Sequence, residues 1–176
     1  MSVWFTSDHH FGHGNIIGYC DRPFGDAHEM NVKMSNYWNE VIMPDDIVYH
    51  LGDFSFHSDK YIDRLNGRVV LVKGNHDNKR HWKCFDLAVD GIALKLAEFK
   101  CFLTHWPIEV GWKYNHTSPE LHLLDVYDFI ICGHVHEKWK VKGKNVNVGV
   151  DVWDFKPIHV DELVRFLRKT RGEENA

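Results

Sequence analysis

The sequence predicts a single α/β domain. Short runs rich in β-branched and aromatic residues alternate along the chain with stretches of helical apolar periodicity. Two of the runs, VVLV at 69–72 and FIIC at 129–132, are apolar throughout, as in strands buried on both faces. No low-complexity linker or internal repeat divides the chain, so residues 1–176 are expected to form one domain. A length of 176 residues with 44% hydrophobic content is enough to bury a core without covalent staples.

The elements are taken in chain order. Val3–Thr6 reads as a strand, and a glycine-punctuated loop runs from Phe11 to Gly25. Asp26, with Glu29 three residues later, has the spacing of a capping box. It opens a helix with Met30, Met34, Tyr37, Trp38 and Val41 on one face, stopped by Pro44. Ile47–Leu51 predicts a strand leading into Gly52-Asp53, and Asp59–Leu65 a helix halted at Asn66-Gly67. Arg68–Val72 leads into Gly74-Asn75-His76-Asp77, and further strands are expected at Phe85–Val89, Ile92–Leu96, Lys100–Leu103, Phe129–Ile131 and Asn145–Val150. A closing helix of about three turns starts at Asp161, with Leu163, Val164 and Leu167 inward and Gly172 just past its end.

Composition removes several classes of function. A formal charge of −4 gives no general field for nucleic acid, so an anionic substrate has to be attracted locally, and bound divalent ions would do so. Cys20, Cys84, Cys101 and Cys132 contain no C-x-x-C pair; they read as core thiols in a reducing compartment rather than a zinc ribbon or redox motif. The segment MSVWFTSDHH has no basic region followed by an apolar one, and no apolar window reaches membrane-spanning length. Export and membrane insertion are therefore not expected, and a cytoplasmic location is. Fourteen histidines form no tract, so their positions need another explanation.

The ends of the strands supply it. Asp8, Asp53, Asn75, His105 and His134 each stand within a few residues of the end of an apolar run. In α/β folds the carboxyl ends of strands are where loops converge on a crevice. Residues two apart in an extended segment face one side, so Asp8 with His10, and His134 with His136, can each aim two groups at one region. His9 would then point into the protein. Imidazole, carboxylate and amide oxygen donors without thiolate suit Mn, Fe, Ni, Zn or Mg rather than a closed structural zinc site.

The ordered blocks D-x-H (Asp8, His10), G-D (Gly52-Asp53), G-N-H-D (Gly74–Asp77), a lone His105 and G-H-x-H (Gly133–His136) resemble the calcineurin-like metallophosphoesterase superfamily, in particular its small stand-alone members from bacteria and phages. The resemblance implies a four-layer fold: two mixed β-sheets face to face with helices outside. It implies two divalent ions, with manganese the first choice. One would be held by Asp8, His10, Asp53 and His136, the other by Asp53, Asn75, His105 and His134, with Asp53 bridging. His76 would be the catalytic residue facing the phosphate, and the reaction hydrolysis of a phosphate ester by metal-activated water attacking phosphorus. The longer G-D-x-x-D-R-G block of protein phosphatases is absent after Asp53, where the chain reads Phe54-Ser55-Phe56-His57. That favours phosphodiesters, with nucleotides as candidate substrates, over phosphomonoesters. An inactive binding module of the same fold would have lost ligands, and none is missing here.

Secondary features have plainer readings beside functional ones. His13 and Arg22, in the loop after the first ligands, are candidates for substrate contact. Lys138, Lys140, Lys142 and Lys144 alternate with Trp139 and Val141, as on a lysine-protected edge strand; a basic strip for nucleotide or nucleic acid is the alternative. Lys79, Arg80 and Lys83 read as a solvated turn, and Trp82, Trp106, Trp112, Trp139 and Trp153 as core or rim residues. Asp77 is the one candidate for orienting His76, and oligomeric state is left open.

Overall fold

The structure is a computed structural model that describes residues 1–108 and 122–172; Trp112 lies outside them. Two five-stranded mixed sheets with flanking helices make up the described part. The first sheet contains β1 (Val3–Thr6), β2 (Ile47–His50), β3 (Arg68–Val72), β4 (Leu87–Val89) and β10 (Ile158–His159), in the order β10-β1-β2-β3-β4. Strands β1 to β4 run parallel and β10 antiparallel to β1, with Trp4 opposite His159. The second contains β5 (Ile92–Leu96), β6 (Phe99–Leu103), β7 (Phe129–Cys132), β8 (Val141–Lys142) and β9 (Asn145–Asn147), in the order β5-β6-β7-β9-β8. Here β6, β7 and β9 are parallel, and hairpins add β5 and β8 at the edges.

Period-two alternation distributes each strand's side chains between layers. Phe5 and Val72 from the first sheet meet Phe99, Cys101, Leu103, Phe129, Ile131 and Val146 from the second in one buried cluster. The opposite face of the first sheet presents Val48, Val69 and Leu71 to helix α2 (Ala27–Val41), whose Met30, Met34 and Trp38 are fully buried. Strand β7 is buried at all four residues, as its unbroken apolar run predicts.

The start of α2 uses the capping signal in a modified form. Asp26 Oδ1 accepts the Glu29 N–H at 2.8 Å, but Glu29 Oε2 takes the Gly25 N–H at 2.6 Å rather than that of Asp26. Helix α4 (Val160–Arg171) ends at Gly172 with φ 82°, the left-handed cap that glycine supplies at least cost. Leu163, Val164 and Leu167 are buried as expected.

Several expectations need correction. The Phe11–Gly25 loop contains a short helix, α1 (Asn15–Tyr19). The helix expected at Asp59–Leu65 is two 3-10 turns, Ser58–Lys60 and Ile62–Arg64. The segment offers Leu65 as its buried apolar anchor, too little to offset helix nucleation. The strand expected at Asn145–Val150 stops at Asn147, whose Oδ1 accepts the Gly149 N–H at 2.8 Å and turns the chain. The edge strand read from the alternating lysines is present as β8, at Val141–Lys142 only; strand β10 and helix α3 (Leu123–Val126), each four residues or shorter, were not legible as elements. The lysine strip is no single charged face: Lys140 Nζ lies 3.7 Å from the Trp153 ring centroid, and Lys144 Nζ donates to the Leu124 and Tyr127 carbonyls. Among the described residues the four cysteines are free thiols, and no helix is long and apolar enough to cross a membrane.

The two faces of α2 give a direct test. Met34→Ala, on the buried face, is expected to cost about 2–5 kcal/mol in urea unfolding. Val32→Ala, at an exposed position, is expected to stay within about 0.5 kcal/mol. Equal losses would mean that α2 does not pack through that face.

Candidate metal centre

The parallel strands of both sheets end on loops that carry the candidate ligands: Asp8 and His10 after β1, Asp53 after β2, Asn75 and His76 after β3, His105 after β6, and His134 and His136 after β7. These loops stay in register beyond the strands. Asp8 N–H donates to the Gly52 carbonyl at 3.0 Å, His10 N–H to that of Asp53 at 3.0 Å and Phe11 N–H to that of Phe54 at 2.9 Å. The Asp8 carboxylate crosses to the other sheet, where both oxygens accept the His134 N–H, at 3.1 and 2.9 Å.

Two groups of ligand-type atoms result. Asp8, His10 and His136 bring one donor atom each within 4.8 Å of one another, and Asp53, His105 and His134 do the same. Asp53 joins them: its Oδ2 lies 3.5 Å from His10 Nε2 and 3.4 Å from His105 Nε2. Asn75 Oδ1 completes the second group, 3.1 Å from His105 Nε2. All seven side chains expected to hold metal therefore converge, partitioned as the sequence motifs imply.

The backbone at the site is unusual. Asp8, His10, Asp53, His134 and His136 have φ of 61°, 53°, 56°, 70° and 49°. Non-glycine residues rarely adopt such values, which cluster where surrounding structure holds a functional geometry. The pairing of Asp8 with His10 thus comes from left-handed turns and not from the extended alternation expected. His9 still points inward, its ring 5.0 Å from Phe11 and its Nδ1 2.9 Å from His50 Nε2. At Gly52, with φ 91°, a Cβ would lie 2.5 Å from His105 Nδ1; at Gly133 it would collide with Ser7 Oγ and the Asp8 carboxylate. Side chains at either place would displace ligands.

Hydrogen bonds from the protein fix which imidazole nitrogen faces the site. His105 Nδ1–H donates to the Leu51 carbonyl at 2.8 Å, leaving the Nε2 lone pair toward Asp53. His136 Nδ1–H donates to Asp151 Oδ2 at 3.2 Å, which frees its Nε2. His10 Nε2 is buried and has no hydrogen-bond partner among the described residues. A metal ion satisfies such an orphaned lone pair, and the donor set fits divalent ions that accept nitrogen and oxygen ligands.

Burial and mutual charge shape the titration of the metal-free site. Burial opposes ionisation of Asp53, yet the His105 and His10 imidazoles and the His76 N–H hold its carboxyl well below the usual range. For Asp8 burial outweighs His136 and His105 and raises its pKa. Burial works against charge on His105, but Asp53 lifts it to about 9; on His136 the Asp151 hydrogen bond similarly overcomes burial and lifts it to about 11. His134 is pushed down to about 3, by burial first and by His105 next. Metal must compete with these protons.

Three further side chains were expected to act at the site, and the structure separates them. His76 lies at the open side, its side chain 37% exposed and its Nε2 4.0 Å from Asp53 Oδ2. Asp77 does not orient it: the carboxylate accepts the N–H groups of Asp53, Phe54 and Gly74 at 2.8, 2.9 and 2.8 Å, clamping the β2 and β3 loops together. His13 stands beside the site, its Nδ1 3.4 Å from His10 Nδ1. Arg22, expected to contact substrate, is buried instead; it donates to both Asp151 oxygens at 2.7 and 2.9 Å and to the Asp8 and His9 carbonyls. Sequence reading missed Asp151, which lies beyond the last motif with no marker, and Asn147, whose Nδ2 donates to the His136 carbonyl at 2.8 Å. Trp106 borders the second group, its ring 4.1 Å from that of His134.

A two-sheet α/β scaffold with paired carboxylate and histidine groups at its strand ends is the architecture of a metal-dependent hydrolase. Residues 1–152 match the family model of the calcineurin-like phosphoesterase superfamily domain. An uncharacterized protein of Methanocaldococcus jannaschii is 31% identical over 182 residues, spanning 95% of this chain and 92% of its own length. The gene 66 protein of Mycobacterium phage L5 is 26% identical over 207 residues, spanning 98% and 97%. A crystal structure of a protein of unknown function from Aquifex aeolicus superposes with a TM-score of 0.76 at 28% identity, over 94% of this chain and 98% of that one. The chain belongs to the calcineurin-like phosphoesterase superfamily.

Asp151 offers the sharpest test of the geometry behind the histidines. Asp151→Asn is expected to weaken binding of a divalent ion by about 10–100-fold in equilibrium dialysis with manganese, with the circular dichroism spectrum retained. Unchanged affinity in a folded variant would exclude a role for Asp151 in holding His136.

Proposed function

We propose that this phosphoesterase hydrolyses phosphodiester bonds, with nucleotide esters as its substrates and two manganese ions as its cofactors. The carrying observation is the Asp53 carboxylate between His10 and His105, one oxygen within 3.5 Å of both imidazoles. A bridging carboxylate needs that position. Asp8, His10, Asp53 and His136 would hold one ion, and Asp53, Asn75, His105 and His134 the other. Bound there, the ions would neutralise phosphoryl oxygens and supply a water acidic enough to ionise near neutral pH.

The protein's own residues do the rest. Buried Asp8, His10, Asp53 and His105 would hold the ions from within, while exposed Asn75 and half-exposed His76 leave the other side open to substrate. His76, held by its own N–H on Asp53 Oδ1 at 2.9 Å, presents its ring to that open side and would give a proton to the leaving oxygen. His13, beside His10 and His76, would contact the phosphate or its substituent. A diester is favoured because the protein-phosphatase block after Asp53 is missing.

Removal of metal by a chelator should abolish hydrolysis of bis(4-nitrophenyl) phosphate, and readded manganese should restore it. Full turnover by protein shown metal-free by elemental analysis would end the proposal. Asp53→Asn should lose metal and activity together, whereas His76→Ala should keep both ions and lose about 10²–10⁴-fold in kcat on a nucleotide diester whose leaving group is an unactivated alcohol, and far less on the aryl diester, whose phenolate leaves without a proton. Matched loss of metal in both variants would contradict this division of roles. With one leaving group and fixed manganese, kcat/KM should favour diesters; a consistent monoester preference would make the chain a phosphomonoesterase.

A further inference from the structure

Among the described phenylalanine, tyrosine and tryptophan residues, two are exposed: Tyr19 at 72% and Phe56 at 38%. One ends helix α1 and the other lies in the loop after β2, yet both flank one histidine beside the candidate metal centre. His13 has its ring centroid 6.3 Å from Tyr19 and 5.0 Å from Phe56, and it also lies 5.4 Å from His10 and 6.0 Å from His76. Phe56 further meets His76 edge-on, at 5.2 Å and 81°. An aromatic surface therefore continues outward from the candidate ligands to solvent.

Neither ring owes its position to a slack loop. Phe56 comes after Ser55, whose Oγ donates to the Phe11 carbonyl at 2.8 Å and accepts the His57 N–H at 3.0 Å. Phe54, two residues earlier, is fully buried. The chain at 56 is thus fastened at both neighbours while the ring is held outside. Tyr19 ends α1, anchored by buried Ile16 and by the Cys20 N–H on the Ile16 carbonyl at 3.0 Å. A phenyl ring kept in water gains nothing from burial, so a fixed exposed one beside a phosphate-binding centre is explained by what covers it during binding.

We infer that Tyr19 and Phe56 form a ring-binding rim that stacks the nucleobase of a nucleotide ester while its phosphate lies at the metal centre. This rests on the phosphoesterase reading above and names the substituent that the site recognises. The chemistry favours a base over an acyl chain: the rim alternates aromatic rings with imidazoles and has polar His57 beside it, giving π-faces without a continuous apolar groove. Stacking on an aromatic side chain is tolerant of base identity, so the rim selects nucleotides as a class.

The test uses two diesters with the same leaving group, methyl 4-nitrophenyl phosphate and thymidine 5′-(4-nitrophenyl phosphate), on manganese-loaded protein. Phe56→Ala should raise KM for the thymidine ester about tenfold and leave its kcat within about twofold, since stacking acts in binding. The methyl ester should be unaffected, Tyr19→Ala should shift the thymidine ester in the same direction, and Phe56→Trp should restore it. Equal effects on both esters, or none on either, overturn the rim. Calorimetric titration with AMP and with inorganic phosphate separates this from the phosphoesterase reading. Should the wild type hydrolyse neither ester, that reading fails, while the rim still requires Phe56→Ala to weaken AMP about tenfold and spare phosphate. Loss of both or of neither refutes it.

Discussion

Two carboxylates buried side by side constrain everything around them. Asp8 and Asp53 are 0% and 1% exposed, and an uncompensated charge at such depth costs several kcal/mol. The protein meets the cost with histidines from both sheets and with backbone N–H groups aimed at the oxygens, His134 N–H on Asp8 and His76 N–H on Asp53. Strand ends have to meet at one edge for this to happen, which parallel pairing of β1, β2 and β3 and of β6 and β7 provides. The left-handed backbone at Asp8, His10, Asp53, His134 and His136 is a further cost of bringing the groups so close.

A second tier of contacts keeps that geometry from relaxing. Asp77 ties the β2 and β3 loops through three backbone N–H groups, so Asp53 and Asn75 are placed by one carboxylate. Arg22 does the equivalent for the first group, joining the Asp8 and His9 carbonyls to Asp151 behind His136. Both are charged residues turned toward the protein. Their role is positional, and a charge in a loop after a ligand is no sign by itself of a contact with substrate.

What was legible in the sequence was whatever repeats with a period or a motif. The apolar runs gave β1, β3, β5 and β7 nearly to the residue, and the buried face of α2 came from Met30, Met34 and Trp38. The set of side chains that converge at the strand ends was legible because short motifs recurred after strands. The supports were not: Asp151 and Asn147 are single polar residues whose work depends on tertiary neighbours. Likewise β10, of two residues, exists through its partner and carries no local signal.

The pairing of β1 with β10 sets an order of events during synthesis. Asp8 leaves the ribosome 126 residues ahead of His134, whose N–H it accepts. Its strand borders one at Ile158–His159, and Arg22 ties its carbonyl to Asp151. Until those later residues emerge, the nascent chain carries Asp8 without the groups that compensate it. Contacts of such long sequence separation form late, so the surroundings of Asp8 are complete only after the segment through β10 has been made.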